Sequence, residues 1–164
     1  MRLRPLQPGD FDALFAISSD PLLWEQHPSK ERAEAEGFRL WFDQAMESGG
    51  ALVVEDRATG EVIGTSRFHG YDSDLGEVEI GWTFLARARW GGPWNAEMKK
   101  LMLDHAFGSV ERVRFRVHEG NLRSQKAVEK LGAARTRVEA DAQGRGQNVV
   151  YHLAAGPGAS TATD

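Results

Sequence analysis

Residues 79–95 read Glu79-Ile80-Gly81-Trp82-Thr83-Phe84-Leu85-Ala86-Arg87-Ala88-Arg89-Trp90-Gly91-Gly92-Pro93-Trp94-Asn95, and the way this stretch folds decides the fold of the chain. Its first half completes an alternation that begins at Glu77. Val78, Ile80, Trp82 and Phe84 fall on one side, and Glu77, Glu79, Gly81 and Thr83 on the other. A period of two predicts a strand over 77–85. Two arginines and a glycine pair follow, then Pro93, a residue that suits the first turn of a helix because its missing N–H has no helical partner there. A helix is predicted from Trp94 to Phe107. A strand that runs through a glycine-bearing loop into a helix gathers unpaired amides at the positive end of the helix dipole, which favours an anion. Arg87 and Arg89 add charge. The loop lacks both the GK[ST] ending of a nucleotide-triphosphate loop and the G-x-G-x-x-G spacing of a dinucleotide fingerprint. Alone it is a weak signal, since any α/β protein has helix starts with turn glycines.

Working outward toward the C-terminus, Val113–Val117 reads as a strand and Leu122–Leu131 as a helix. Asn121 stands at its N-cap and Gly132 at its C-terminal cap. Two strands follow, Ala134–Ala140 and Val149–Ala154, around a polar turn with Gly144 and Gly146. The small polar residues 156–164 are expected to form a disordered tail. Toward the N-terminus, Leu3–Leu6 reads as a short strand. Asp10 is the expected cap of a helix carrying Phe11, Leu14, Phe15 and Ile17, which Asp20-Pro21 interrupts. A second helix over 30–46 presents Phe38, Trp41, Phe42 and Ala45 on one side. Strands at Ala51–Glu55 and Glu61–Phe68 and a polar turn over 71–76 complete the order β-α-α-β-β-β-α-β-α-β-β. Meander strands followed by strand-helix units predict a three-layer α+β fold, a mixed sheet with helices on both faces. One domain, residues 1–155, accommodates all of it.

Composition narrows the chemistry. With 41% apolar and 27% charged residues in 164, the chain can bury a sizeable core without a staple. The absence of cysteine excludes disulfides, thiolate metal sites and a cysteine nucleophile. No stretch approaches the ~20 apolar residues of a membrane span, and the opening residues lack a signal-peptide run. The expectation is a cytoplasmic protein with no membrane partner. A net charge of −4 argues against nucleic acid, whose binders show a basic face. His27, His69, His105, His118 and His152 are scattered with no H-x-x-x-H pair, so no metal site is expected. No G-x-S-x-G elbow supports a hydrolase.

The second informative stretch is Asn121-Leu122-Arg123-Ser124-Gln125-Lys126-Ala127-Val128-Glu129-Lys130-Leu131-Gly132. Together with E-I-G-aromatic, W-G and the helix that follows, it resembles the GNAT superfamily of N-acetyltransferases. The ribosomal-protein N-terminal acetyltransferase-like, Rim-type branch is the nearest in pattern. The resemblance covers about residues 3–153. It implies a mixed, mostly antiparallel sheet of about seven strands that splays between its fourth and fifth. It also implies acetyl-CoA as cosubstrate and an amine acceptor. The pantetheine would pair with the backbone of Trp82, Thr83, Phe84 and Leu85. The pyrophosphate would meet Trp90, Gly91, Gly92, Trp94 and Asn95, and Asn121, with Arg123 beside it, would hold the pantetheine arm.

The chain departs from the pattern at several places. Ala88 stands at the loop's usual cationic position, and Pro93 removes one N–H donor. Arg87 or Arg89 is expected to compensate. Val128 occupies the position of the family's tyrosine acid, so Ser124 is the expected proton donor to the leaving thiolate. Glu79 is the expected base, against the alternatives of a solvated strand glutamate or of proton loss through water. Trp24 and Trp41 fall where the family shapes its acceptor site, or else pack the core. The implied activity is acetyl transfer to a primary amine, a peptide N-terminus or a small molecule such as an antibiotic or polyamine. Transfer would proceed by direct attack in a ternary complex, in a monomer or homodimer. A non-catalytic acetyl-CoA-binding regulator, and a fold-only interaction module, are the competing readings.

Overall fold

A computed structural model describes residues 1–156; apart from Gly156, the expected disordered tail lies outside the described residues. The strands are β1 (Arg2–Pro5), β2 (Ala51–Glu55), β3 (Val62–Asp72), β4 (Glu77–Leu85), β5 (Arg112–His118), β6 (Ala134–Ala140) and β7 (Gln147–Ala154). The helices are α1 (Phe11–Ser18), α2 (Ala35–Glu47), α3 (Trp94–Ala106) and α4 (Leu122–Glu129). The strands form one seven-stranded mixed sheet in the order β1-β2-β3-β4-β5-β7-β6, an α+β fold as expected. The chain divides into two compact units, Met1–Phe68 with Trp82–Met98, and His69–Gly81 with the residues from Lys99 onward.

In the first unit, β1 and β2 pair antiparallel from Arg2↔Glu55 to Pro5↔Leu52. The core gathers Leu14, Trp24, Phe38, Trp41, Phe42, Val53 and Phe84. The apolar stripe of α2 at 38, 41, 42 and 45 is buried as its spacing predicts. Rings dominate the packing: Phe38 stacks on Trp41 at 5.3 Å between centroids, and Phe84 meets Trp24 and Trp41 at 5.4 Å each.

Two local elements differ from expectation. Asp10 makes no side-chain cap to α1. Residues 8–10 already form a 3-10 turn, so its carboxylate closes that turn by accepting from the Gln7 amide at 2.8 Å. It also takes two bonds from Arg4, at 2.6 and 2.8 Å. The Arg4 guanidinium, with the Gln7 amide behind it, holds the Asp10 carboxyl below its usual range. The helix expected over 30–46 is a 3-10 turn, Lys30–Ala33, broken at extended Glu34 before α2 begins. Gly37 explains the close packing at the break, because a Cβ there would lie 2.1 Å from the Glu31 carbonyl oxygen.

The second unit is built on β5, paired antiparallel with β7 along seven residues from Arg112↔Ala154 to His118↔Asn148, while β6 covers the other edge of β7. Between β4 and β5 the pairing is parallel and short: Glu77↔Arg112, Val78↔Val113, Glu79↔Arg114. β3 runs to Asp72, four residues beyond the expected end. The turn is tighter than expected because the Asp72 carboxylate accepts the amides of Asp74 and Leu75 at 3.0 and 2.9 Å, and Gly76 takes φ 58°. Such an Asx turn reverses the chain within a few residues.

β4 corrects the alternation reading. Trp82 has φ 50°, and it is the one non-glycine residue with positive φ among the described residues. A left-handed residue inside a strand shifts the pleat by one position, and Phe84 and Leu85 are consequently both buried. The polar side is not solvated either, since Glu77 and Glu79 are each 3% exposed.

Candidate active site

The residues that follow β4 organise the loop. The Trp90 indole N–H donates to the Leu85 carbonyl at 3.0 Å. Between them residues 87–89 form a 3-10 turn that the sequence reading did not anticipate. Gly91 sits at φ 74°, where a side chain would be strained. The amides of Gly91, Gly92, Trp94 and Asn95 donate to no acceptor among the described residues; the first helical bond of α3 runs from the Glu97 amide to the Pro93 carbonyl at 2.9 Å. Four undonated amides at an exposed loop and helix start suit an anion.

The two arginines of the loop are already engaged by carboxylates. Arg87 pairs with Asp20 through Nε, which holds the Asp20 carboxyl below its usual range. Arg89 reaches Asp56 at 3.2 Å and Glu61 at 3.0 Å, with its guanidinium 4.5 Å from the centre of the Trp94 ring. A guanidinium has five donors, so neither pairing exhausts it. Thr83 shares a hydrogen bond of 2.7 Å with Ser66 through their hydroxyls.

In the second unit, Glu79 belongs to a ladder of charge across β4, β5 and β7. Its Oε2 accepts from Arg114 at 3.1 and 3.3 Å and pairs with Arg116 at 3.6 Å. Glu77 takes Arg114 at 2.8 Å, Arg112 at 2.6 Å and His152 at 3.2 Å. Buried carboxylates survive only when paired in this way. Glu79 Oε1, in contrast, accepts no hydrogen bond among the described residues; a Cβ on Gly81 would lie 3.8 Å from it. One oxygen is anchored and the other is open.

Asn121 is buried and caps α4, accepting the Ser124 amide at 3.2 Å, and its Nδ2 donates to no acceptor among the described residues. The half-buried Ser124 likewise has a hydroxyl without a partner among them. Arg123 follows Leu122 on the same first turn of α4. Val128 is buried. The Tyr151 phenol lies 3.0 Å from a Glu129 carboxylate oxygen and 3.2 Å from the Gln125 amide oxygen, which share its single O–H; burial, then Glu129, raises its pKa. It is held by α4 and not available as the missing acid.

Two buried cations escaped the sequence reading. Arg67 on β3 is 5% exposed, and its Nε and Nη2 are enclosed with no hydrogen-bond partner among the described residues. The guanidinium lies 4.8 Å from the centre of the Trp82 ring and 5.8 Å from that of Trp41. Burial alone pushes its pKa down to about 10. The signal was a charged residue inside the strand run Val62-Ile63-Gly64-Thr65-Ser66-Arg67. Lys99 on α3 is buried 6.0 Å from the centre of the Phe115 ring, and burial pushes its ammonium down to about 7. Its signal was the helical spacing with Met102, Leu103 and Ala106, all buried. Among the described residues no cluster of three or more His, Asp or Glu is placed to hold a metal ion, and no helix is long and apolar enough to cross a membrane.

Comparison with known proteins gives a consistent result. Residues 1–134 match the family model described as an acetyltransferase (GNAT) domain. An uncharacterized N-acetyltransferase p20 of Bacillus licheniformis is 28% identical over 140 residues, 80% of this chain and 77% of that protein. The crystal structure of a GCN5-related N-acetyltransferase from Brucella melitensis superimposes with TM-score 0.81, at 24% identity, over 93% of this chain and 75% of that one. Mycobacterium smegmatis RimJ in complex with CoA-disulfide superimposes with TM-score 0.70, at 19% identity, over 93% and 81%. Since the family model spans both stretches that carried the resemblance and the fold agrees over nearly the whole chain, the protein belongs to the GNAT acetyltransferase family and is an N-acetyltransferase of that type.

Proposed function

We propose that the enzyme moves the acetyl group of acetyl-CoA to a primary amine by direct attack in a ternary complex. The observation that carries this reading is the run of undonated amides at Gly91, Gly92, Trp94 and Asn95 directly after β4, a set of donors that fits a pyrophosphate. Arg87 and Arg89 supply the positive charge that Ala88 does not, by sharing donors that their carboxylate partners leave free. The backbone of Trp82–Leu85 takes the pantetheine, and Asn121 uses its open Nδ2 on the same arm.

Glu79 Oε1 removes a proton from the ammonium of the acceptor. The neutral amine attacks the thioester carbonyl, so a C–N bond forms as the carbonyl electrons move to oxygen. Collapse of that oxyanion breaks the C–S bond; the Ser124 hydroxyl gives its proton to the departing thiolate and is restored by the extra proton that the nitrogen of the new amide sheds. The fixed ion pairs on Glu79 Oε2 hold the carboxylate in one orientation, which is where much of the rate of a base originates.

The first test is binding. Acetyl-CoA at a hundredfold excess over its Kd is expected to raise the melting temperature by about 5 °C or more, as a ligand of the native state must. No shift and no binding heat at millimolar acetyl-CoA would overturn the reading. A second test separates two neighbouring residues of α4. Ser124→Ala is expected to lower kcat by roughly one to two orders of magnitude with acetyl-CoA affinity kept, because a thiolate is a fair leaving group and needs limited help. Asn121→Ala is expected to weaken acetyl-CoA binding and to cost about 1 kcal/mol of stability through the lost cap. Ser124→Ala with wild-type turnover at saturating substrate would assign proton delivery to water.

A further inference from the structure

Arg67, Trp41 and Trp82 share one small region of the first unit, and its hydrogen-bonding inventory does not balance. Among the described residues, Arg67, 5% exposed, carries two unpartnered nitrogens, Nε and Nη2, and Trp41, 4% exposed, carries a third, its indole Nε1. Almost every buried polar group in a native structure finds a partner. Here three buried donors belong to side chains whose cation and ring lie 5.8 Å apart. No carboxylate pairs with Arg67 among the described residues. Among these residues its charge is met by the faces of Trp41 and Trp82, and an aromatic face contributes about 0.5–2 kcal/mol, well below the cost of a buried unpaired ion.

We infer that this group is a carboxylate-binding box, and that the amine substrate of the enzyme carries a carboxylate which Arg67 holds. The cluster is all donors, so it calls for a ligand that is all acceptors. Nε and Nη2 are adjacent on one edge of the guanidinium, the edge that meets the two oxygens of a planar carboxylate with two parallel bonds. One carboxylate also cancels the single uncompensated charge. Trp82 is half-buried and carries the left-handed backbone of β4, so the box borders the strand to which the acyl donor is assigned. The inference rests on the acetyl-transfer reading for the identity of the amine as substrate, and on the donors alone for the carboxylate.

The test compares matched amines that differ in one group: an α-amino acid and its amide, an aminoalkyl phosphonate of equal length, and spermidine. The wild type is expected to favour the carboxylate over the amide in kcat/KM by about tenfold to a hundredfold, the range of a charge-assisted pair. Arg67→Met should erase that preference by raising KM for the carboxylate while KM for acetyl-CoA stays unchanged. Arg67→Lys should recover only part of it, since an ammonium lacks the fork. Independently of turnover, the indole N–H resonance of Trp41 should move when the wild type is titrated with an N-acetylated amino acid, and stay still with the corresponding amide. Equal kcat/KM for the acid and its amide in the wild type, preference for phosphonate or spermidine, or a static Trp41 resonance would each overturn the carboxylate box. Loss of the acetyl-CoA thermal shift would instead strike the acetyl-transfer reading and leave the Trp41 titration to decide the box.

Discussion

Glu79→Gln is expected to lower kcat by two to four orders of magnitude while leaving the Kd of acetyl-CoA within about twofold of wild type. The expectation follows from the asymmetry of its two oxygens. Oε2 is committed to Arg114 at 3.1 and 3.3 Å and faces Arg116 at 3.6 Å, and Oε1 is open beside Gly81. An amide of the same shape can occupy the pocket and still accept from Arg114, but it cannot take a proton from an ammonium. The rising limb of rate against pH should therefore move up to the range in which the solution itself deprotonates the amine. Arg114 keeps Glu77 at 2.8 Å, so the ladder should survive with a modest loss of stability, and circular dichroism and melting would verify this separately. A variant with near-normal kcat and an unchanged pH profile would reduce Glu79 to a member of the β4–β5 ion-pair ladder.

The elements whose signals are local are legible in the sequence. The apolar stripe of α2, the Asn121 cap of α4 and the strand over 77–85 each declare themselves within a dozen residues, and each stands in the fold; α4 itself ends at Glu129 with Lys130 at its C-cap, two residues ahead of the expected Gly132. What the sequence concealed depends on partners far along the chain. Arg87 and Arg89 read as free cations beside a glycine loop, yet their carboxylates come from Asp20, Asp56 and Glu61. Glu79 read as the polar side of a strand, and only the pairing with β5 surrounds it with Arg114 and Arg116. The left-handed turn at Trp82 carries no glycine to announce it, because packing and not propensity imposes it. Arg67 looked like one more strand residue until Trp41 and Trp82 closed on it. The candidate chemistry was thus legible as residue types, and its electrostatics was not.

Gly64→Ala is expected to be strongly damaging to the first unit. Gly64 lies on β3, paired with Val54 of β2 just before the register shifts at Glu55. A Cβ there would fall 2.2 Å from the Phe84 carbonyl oxygen, 2.7 Å from Leu85 Cδ2 and 2.9 Å from Leu85 Cα. Two of these three atoms are backbone, so no rotamer change relieves the contact. Nor can β4 simply retreat: the Ala86 amide is tied to the Ile63 carbonyl at 2.9 Å, and Thr83 to Ser66 at 2.7 Å. Phe84 is also wedged between Trp24 and Trp41, so moving its carbonyl disturbs the ring cluster that fills the core. Overpacking of this kind costs about 1–3 kcal/mol and more where backbone must shift, and at about 2–4 °C per kcal/mol the melting temperature should fall by roughly 10 °C or the variant should fail to accumulate in soluble form. Because residues 82–85 are the stretch assigned to pantetheine, the acetyl-CoA thermal shift should shrink as well in any soluble fraction. Gly9→Ala supplies the control, since a Cβ there meets nothing within 4 Å, and it should melt within about 1 °C of wild type. If both variants melted alike, β3 and β4 would not approach as closely at this point as the packing of Gly64 on Phe84 requires.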